Sequence, residues 1–240
     1  MQLGIVAALP VEARCLLGRR AKPGERASLG NTAWVQLSGM GPENARRAAQ
    51  SLLVSGATAL VSWGVAAGLA PQLHRGHLVL PKAVLTADGQ ILLIDEAWHA
   101  RVYAAVSKFT ETSTGNLAET LTALSTPSEK AALMQRNGAV AADMESAAVG
   151  AVAQQAGVPF LVVRSVLDGF AASLPAAAMA AMDMSGKFHA LRWFKAILQR
   201  PAQITDMLPL ALGLRAATKT LVRVADLTGL SLKTQAPLAW

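Results

Sequence analysis

Three carboxylates stand where this chain can most easily build chemistry. Glu12 follows the apolar run "QLGIVAAL", Glu145 opens an alanine-rich stretch in "ADMESAAV", and Asp168 closes the apolar segment "PFLVVRSVLD". Each lies where a loop or helix leaves a predicted strand, and in open α/β sheets ligands bind at the carboxyl ends of strands. The three are far apart in sequence, yet such a fold can bring them into one cleft. A strand-end acid that is partly desolvated has a raised pKa and can give a proton at neutral pH. Each also has a purely structural reading. Glu12 and Glu145 fit first helical turns, where the helix dipole favours an anion, and Asp168 fits a strand-end turn.

The elements that must position these acids follow from hydrophobic patterning. "QLGIVAAL", "TAWVQLSGM", "TALVSWGVAAGL", "RGHLVLPKAVLT", "QILLID", the stretch around "AVAADM" and "VPFLVVRSVLD" read as strands. Between them, "VEARCLLG", "GPENARRAAQSLLVSG", "EAWHARVYAAVSKF", "TPSEKAALMQRNG" and "ESAAVGAVAQQAG" read as helices. Thr126 or Ser128 is placed to cap the fourth of these and Gly138 to end it. Alternation of strand and helix predicts an α/β domain over 1–186. "KFHALRWFKAILQR", stopped by Pro201, and "ITDMLPLALGLRAATKTLVRVADL" predict a helical extension over 187–240.

Charge separates the same two parts. Of a net +7, residues 187–240 supply +6, with eight basic and two acidic side chains. That asymmetry suits an anionic surface. Aromatics interleaved with basic residues in "FHALRWFKAILQR" fit either a membrane interface or packing on the body. For residues 204–232 peripheral membrane contact is the expectation, because a second basic, apolar helix has less core left to cover it. Nucleic acid is not expected, because the excess charge lies on apolar helices. No stretch reaches the roughly 18 uninterrupted apolar residues of a membrane span. The N-terminus lacks the basic start of a signal peptide, and the single Cys15 forms neither an internal disulfide nor a zinc pattern. The expected location is the cytoplasm, at the inner face of the membrane if the tail engages lipid. His74, His77, His99 and His189 form no metal set. Trp63 reads as a packing residue.

"GIVAALPVEA", "SGMGPENA", "WGVAAGL", "ADMESAAV" and "VVRSVLD", in this order and spacing over about residues 3–170, resemble the purine nucleoside phosphorylase and nucleosidase superfamily. The resemblance implies a three-layer αβα sandwich around a central mixed, mostly parallel sheet. It also implies cleavage of a nucleoside N-glycosidic bond, a homodimer, and no cofactor beyond inorganic phosphate as a co-substrate. Asp168 would be the acid that protonates purine N7, and an aspartate there suits adenine. Glu145 would accept hydrogen bonds from the ribose 2′- and 3′-hydroxyls, and Met144 would pack on the ribose. Gly64 and Val65 would line the substrate loop. Glu12 matches the carboxylate that activates water in adenosylhomocysteine/methylthioadenosine nucleosidases. Phosphorolysis would instead use the backbone of Ser38, Gly39 and Gly41 as an anion cradle, with Arg46 the nearest cation beside Arg14 and Arg47.

The linker "TPSEKAALMQRNGAVAADMES", the segment "RPAQITDMLPLALGLRAA" and the basic tail further resemble the hopanoid-associated phosphorylase subgroup. That implies removal of adenine from adenosylhopane, a lipid-linked nucleoside. Small adenosine derivatives such as methylthioadenosine are the enzymatic alternative. Two departures favour a third reading, a nucleoside-binding module without catalysis. Val65 and Leu167 stand where the family commonly has serines. Both replacements remove a hydroxyl from the expected site.

Overall fold

The computed structural model describes residues 2–22, 24–175 and 204–229, with the side chains of 204–207 left aside. Three parallel strands form the spine: β1 (Leu3–Ala7), β4 (Ala59–Gly68) and β11 (Phe160–Asp168). All five residues of β1 are buried, as are most of β4 and β11. Burial of successive residues, which point to opposite faces, means that helices cover both sides of the sheet.

Around the spine lie β2 (Arg26–Leu29), β3 (Ala33–Leu37), β5 (Leu78–Val79), β6 (Ala83–Leu85), β7 (Ile91–Leu93), β8 (Thr112–Ser113), β9 (Leu117–Glu119) and β10 (Ala141–Asp143). The order β2-β3-β1-β4-β10-β9-β6-β7 runs through one branch, while β11 pairs with β4 and β5, and β5 with β8. Six of the ten strand pairs are parallel, so the sheet is mixed and mostly parallel, as expected. The helices are α1 (Pro10–Leu17), α2 (Pro42–Val54), α3 (Glu96–Val106), α4 (Pro127–Asn137), α5 (Ser146–Ala156) and α6 (Ile204–Leu227). α2 packs with α5 over one side of the sheet, and α1 with α6 over the other.

The fork at β4 matters most for function. Its first half pairs with β1 through Trp63, and its last residues, Ala67 and Gly68, pair with β10. Between those contacts β4 has a free edge at Gly64–Ala66, just beyond the end of β1. A second irregularity lies opposite. In β11, Val166 faces Ala66 and Asp168 faces Ala67, so Leu167 is an inserted bulge residue. A bulge re-aims the side chains after it.

Local signals set the helix ends. Thr126 Oγ1 accepts from Glu129 N at 3.3 Å while Glu129 Oε2 accepts from Thr126 N at 3.0 Å, a reciprocal box that opens α4. Gly138 ends it at φ 70°. Three short strands, β2, β8 and β9, were not anticipated; at two to four residues they carry too little pattern to read.

The expectation for the C-terminal helix needs correction over its described part. Ala217, Leu221, Val224 and Ala225 of α6 are fully buried against the body. Thr220 Oγ1 donates to Gly76 O at 2.6 Å and Arg223 Nη1 to Phe109 O at 2.8 Å. The apolar stripe of α6 thus covers β11 and α1 and is not free for a membrane, while Arg215, Lys219 and Arg223 face outward. Among the described residues no helix is long and apolar enough to cross a membrane. The helix expected over 187–200 and residues 230–240 lie outside the described residues.

This packing makes a measurable difference. Leu221→Ala should destabilise the protein by about 2–4 kcal/mol in urea unfolding, as a buried leucine truncation does. Leu212→Ala, at a position 49% exposed, should change stability by less than about 0.5 kcal/mol. Equal small effects at both positions would mean that α6 does not hold the body.

Candidate active site

Glu12 follows the carboxyl end of β1, Glu145 follows that of β10 and Asp168 closes β11, and all three are buried. They do not form one cluster. Glu12 and Glu145 gather around Arg164, whereas Asp168 lies beyond the bulge beside Lys130.

Glu12 sits in the first turn of α1, and its carboxylate turns back into the fork. Oε2 accepts from Ala8 N at 3.0 Å and Leu9 N at 2.8 Å. Oε1 accepts from Val65 N at 2.9 Å. Glu12 therefore caps its helix, as its structural reading expects, and also satisfies the amide that β4 exposes where β1 ends. Burial pushes its pKa above the usual carboxylate value, against the pull of Arg164 and the three amides. Trp63 is fully buried and packs, as expected; its Nε1 donates to Glu12 O at 3.3 Å.

Gly64 lets this arrangement form. A Cβ there would collide with Arg164 Nη1 and Glu12 Oε1. Arg164 is 1% exposed. Nε donates to Asp143 Oδ2, and Nη2 donates to Ser62 Oγ at 2.7 Å and Ser146 Oγ at 3.1 Å. Burial disfavours its charge, but Asp143, Glu12 and Glu145 outweigh that and raise its pKa further. Asp143 in turn accepts from Ser146 N at 3.2 Å, fixing the start of α5.

Glu145 is the cap residue of α5, and its side chain reaches across to α2, where Oε1 accepts from Gly41 N at 2.7 Å. Burial raises its pKa to about 7, with Asp143 pushing the same way and Arg164 and the Gly41 amide opposing. Met144 is half-buried beside it.

The expected anion cradle needs revision. The anion held at the start of α2 is the protein's own Glu145, because the Gly41 amide is taken. Ser38 N donates to Ala7 O at 2.9 Å, and Ser38 Oγ to Gly39 O at 2.8 Å. Arg46 pairs with Glu43 at 3.8 Å on the helix surface, Arg47 donates to Asn44 Oδ1 at 2.6 Å, and Arg14 is exposed. None of the three arginines is a buried cation of the site.

Asp168 pairs with the Nζ of Lys130, a residue that is 0% exposed. Burial raises the pKa of Asp168, and Lys130 and Arg75 pull it down. Sequence reasoning missed Lys130, Arg164, Asp143, Ser62 and Ser146. His99 is buried against Leu80 O, His77 lies 3.7 Å from Glu111, and His189 is outside the described residues. Among the described residues no group of three or more His, Cys, Asp and Glu side chains is arranged to hold a metal.

Residues 5–190 match the family model described as the phosphorylase superfamily. No curated protein matches the chain in sequence. Several solved structures share the fold. The 5′-methylthioadenosine/S-adenosylhomocysteine nucleosidase from Neisseria meningitidis, in complex with methylthio-immucillin-A, gives a TM-score of 0.70 at 17% identity, covering 94% of this chain and 97% of that one. Futalosine hydrolase of Helicobacter pylori gives 0.68 at 18% identity, covering 94% and 97%. S-adenosylhomocysteine nucleosidase from Streptococcus pyogenes, in complex with 5-methylthiotubericidin, gives 0.69 at 18% identity, covering 99% and 98%.

The burial of Glu145 has a pH signature. Its folded pKa of about 7 lies above the ordinary 4.5. Its contribution to stability is therefore complete below pH 4.5 and is lost as the pH rises to 7 and beyond. Glu145→Gln, neutral at every pH and similar in shape, should match the wild type near pH 4 and be the more stable protein at pH 8. Urea unfolding at the two pH values reads this directly, and a difference independent of pH would contradict it.

Proposed function

Since the chain belongs to the phosphorylase superfamily, we propose that it cleaves the N-glycosidic bond of an adenine nucleoside substituted at the 5′ position, with water as the nucleophile. The observation that carries this reading is the division of buried acids into two environments. Glu12 and Glu145 share the Arg164 neighbourhood, while Asp168 stands apart beside a buried lysine.

In this reading Asp168 gives its proton to purine N7. The C1′–N9 bond breaks, and its electron pair passes to the base. Glu145, as the anion, accepts hydrogen bonds from the ribose 2′- and 3′-hydroxyls and favours positive charge at C1′. Met144 packs on the ribose, and Gly64 and Val65, which the sequence suggested as loop residues and which lie within β4, line the substrate site. Glu12 takes the proton of the attacking water as oxygen bonds to C1′. Support for water over phosphate comes from the start of α2, where Gly41 already serves Glu145 and Arg46 is turned to Glu43.

The sequence resemblance puts forward adenosylhopane as the substrate. The names of the solved relatives put forward methylthioadenosine and S-adenosylhomocysteine, and the fold likeness favours testing these as the second reading. Both kinds are 5′-substituted adenosines and need the same leaving-group chemistry.

The deciding assay is adenine release from adenosylhopane and from methylthioadenosine, with and without phosphate. Release from at least one of them without phosphate is expected. Release only with phosphate would replace hydrolysis by phosphorolysis, and none in either condition would leave a binding module. Asp168→Asn should lower kcat by about 100-fold or more, the usual loss of a general acid. Because Asp168 must keep its proton, kcat/KM should fall at high pH, and because Glu145 must be ionised it should rise toward a pH of about 7 on a limb set by that group. Glu145→Gln should lose that limb.

A further inference from the structure

Lys130 is a buried cation in direct contact with the proposed acid, and the mechanism above leaves it without a role. It lies in the first turns of α4, where a lysine is ordinarily a solvated surface residue, yet it is 0% exposed. An ammonium has three hydrogens to donate, and Lys130 Nζ has three acceptors. It donates to Asp168 Oδ2, to Gly169 O at 2.8 Å and to Ala172 O at 2.9 Å. A buried lysine without a counter-charge is strongly unfavourable, so its place depends on Asp168.

The geometry joins two tasks. The two carbonyl contacts bind the segment after β11 to α4, and Leu174 N donating to Ser125 O at 2.9 Å gives a second tie between the same segments. A neutral donor could hold those carbonyls equally well. The contact with Asp168 is different, because it places a fixed positive charge on the carboxyl that faces the leaving base in the proposed reaction. While Asp168 carries its proton, the Lys130 charge is unmatched; when the proton passes to the base, a buried ion pair forms. We propose that Lys130 is the positioning residue of the leaving-group acid, fixing the Asp168 carboxyl at the end of β11 and stabilising the anion that Asp168 becomes as its proton passes to purine N7.

Lys130 keeps all three of its protons throughout. The proton moves from Asp168 to N7, and the electrons of the C1′–N9 bond go to the purine. The charged groups bearing on Asp168 among the described residues are Lys130 from α4 and Arg75 from the loop between β4 and β5; both lower its pKa, against burial. The inference rests on the reading of Asp168 as the acid.

The test compares Lys130→Met and Lys130→Arg with the wild type on two substrates. One is methylthioadenosine or adenosylhopane, whichever releases adenine. The other is 4-nitrophenyl riboside, whose leaving group needs no proton. Lys130→Met should lower kcat for the adenine nucleoside by about 100-fold with little change in KM, the scale of lost general-acid assistance. It should alter 4-nitrophenyl riboside cleavage by less than about threefold, and Lys130→Arg should restore part of the loss. Carbon-13 NMR of the labelled Asp168 carboxyl, in protein without substrate, should show its titration moved to higher pH in Lys130→Met. Lys130→Gln, which keeps a donor for the loop carbonyls, replaces Lys130→Met if that variant does not fold. Equal losses on both substrates, or an unmoved Asp168 titration, would overturn the role of Lys130 alone. An Asp168→Asn variant that releases adenine at the wild-type rate would overturn the acid assignment itself.

Discussion

The buried guanidinium of Arg164 is the interaction on which the site depends. It projects from the middle of β11 and binds Asp143 of β10, Ser62 of β4 and Ser146 of α5. Side chains from three neighbouring strands and the start of α5 are thereby held at fixed spacing. A cation with almost no exposure is tolerable only if it is paired and its hydrogens are accepted. Asp143 supplies the pairing, and the two serines help to complete it. Asp143 cannot then serve as a mobile acid, but it anchors α5, and the Glu145 side chain starts from that anchored turn. Glu145 takes its position from that anchored turn, while Glu12 is held near the guanidinium by the amides of Ala8, Leu9 and Val65.

The same cation sets an electrostatic imbalance. Around Arg164 stand Asp143, Glu12 and Glu145, three carboxylates for one buried positive charge. Ionising all of them would leave excess negative charge in a desolvated region. Burial therefore raises the pKa of Glu12 and Glu145, while Asp143 keeps the direct ion pair. Asp168 escapes this neighbourhood because of the bulge at Leu167. The register Val166↔Ala66 and Asp168↔Ala67 turns Asp168 off the face shared by Arg164 and Val166. One extra residue in a strand separates an acid that sees a lysine from two acids that see an arginine.

Much of this was legible in the sequence, and the failures have physical causes. The apolar runs of β1, β4 and β11 mark strands buried on both faces, and Gly138 with Thr126 marks the ends of α4. Glu12, Glu145 and Asp168 stand out because acids at strand ends are conspicuous in a nearly neutral body. Arg164 and Asp143 carry a signal of a different kind: an arginine inside "FLVVRSVLD" and an aspartate inside "AVAADM" must be paired if those strands are buried. Lys130 carried none, because a lysine in "PSEKAALMQ" has the spacing of any solvated helix residue. The α6 stripe was visible at 217, 221, 224 and 225. What the sequence left out was the surface of β11 and α1 waiting to be covered.

The two missing serines can be weighed from the geometry. Val65 contributes its backbone N–H to Glu12, and any residue except proline can make that contact. Its side chain is only half-buried, so replacing a hydroxyl there leaves the Glu12 carboxylate as firmly held as before. Leu167 is the bulge residue, and its carbonyl lies so close to Gly213 of α6 that a Cβ at that glycine would collide with it. Its contribution is therefore the backbone kink and the seat for α6, with Asp168 re-aimed as the result. A serine at either position would add a donor, but the main chain already supplies the positioning. The loss of these hydroxyls thus falls on how a nucleophile or base edge is hydrogen-bonded, while the placement of the three acids is untouched.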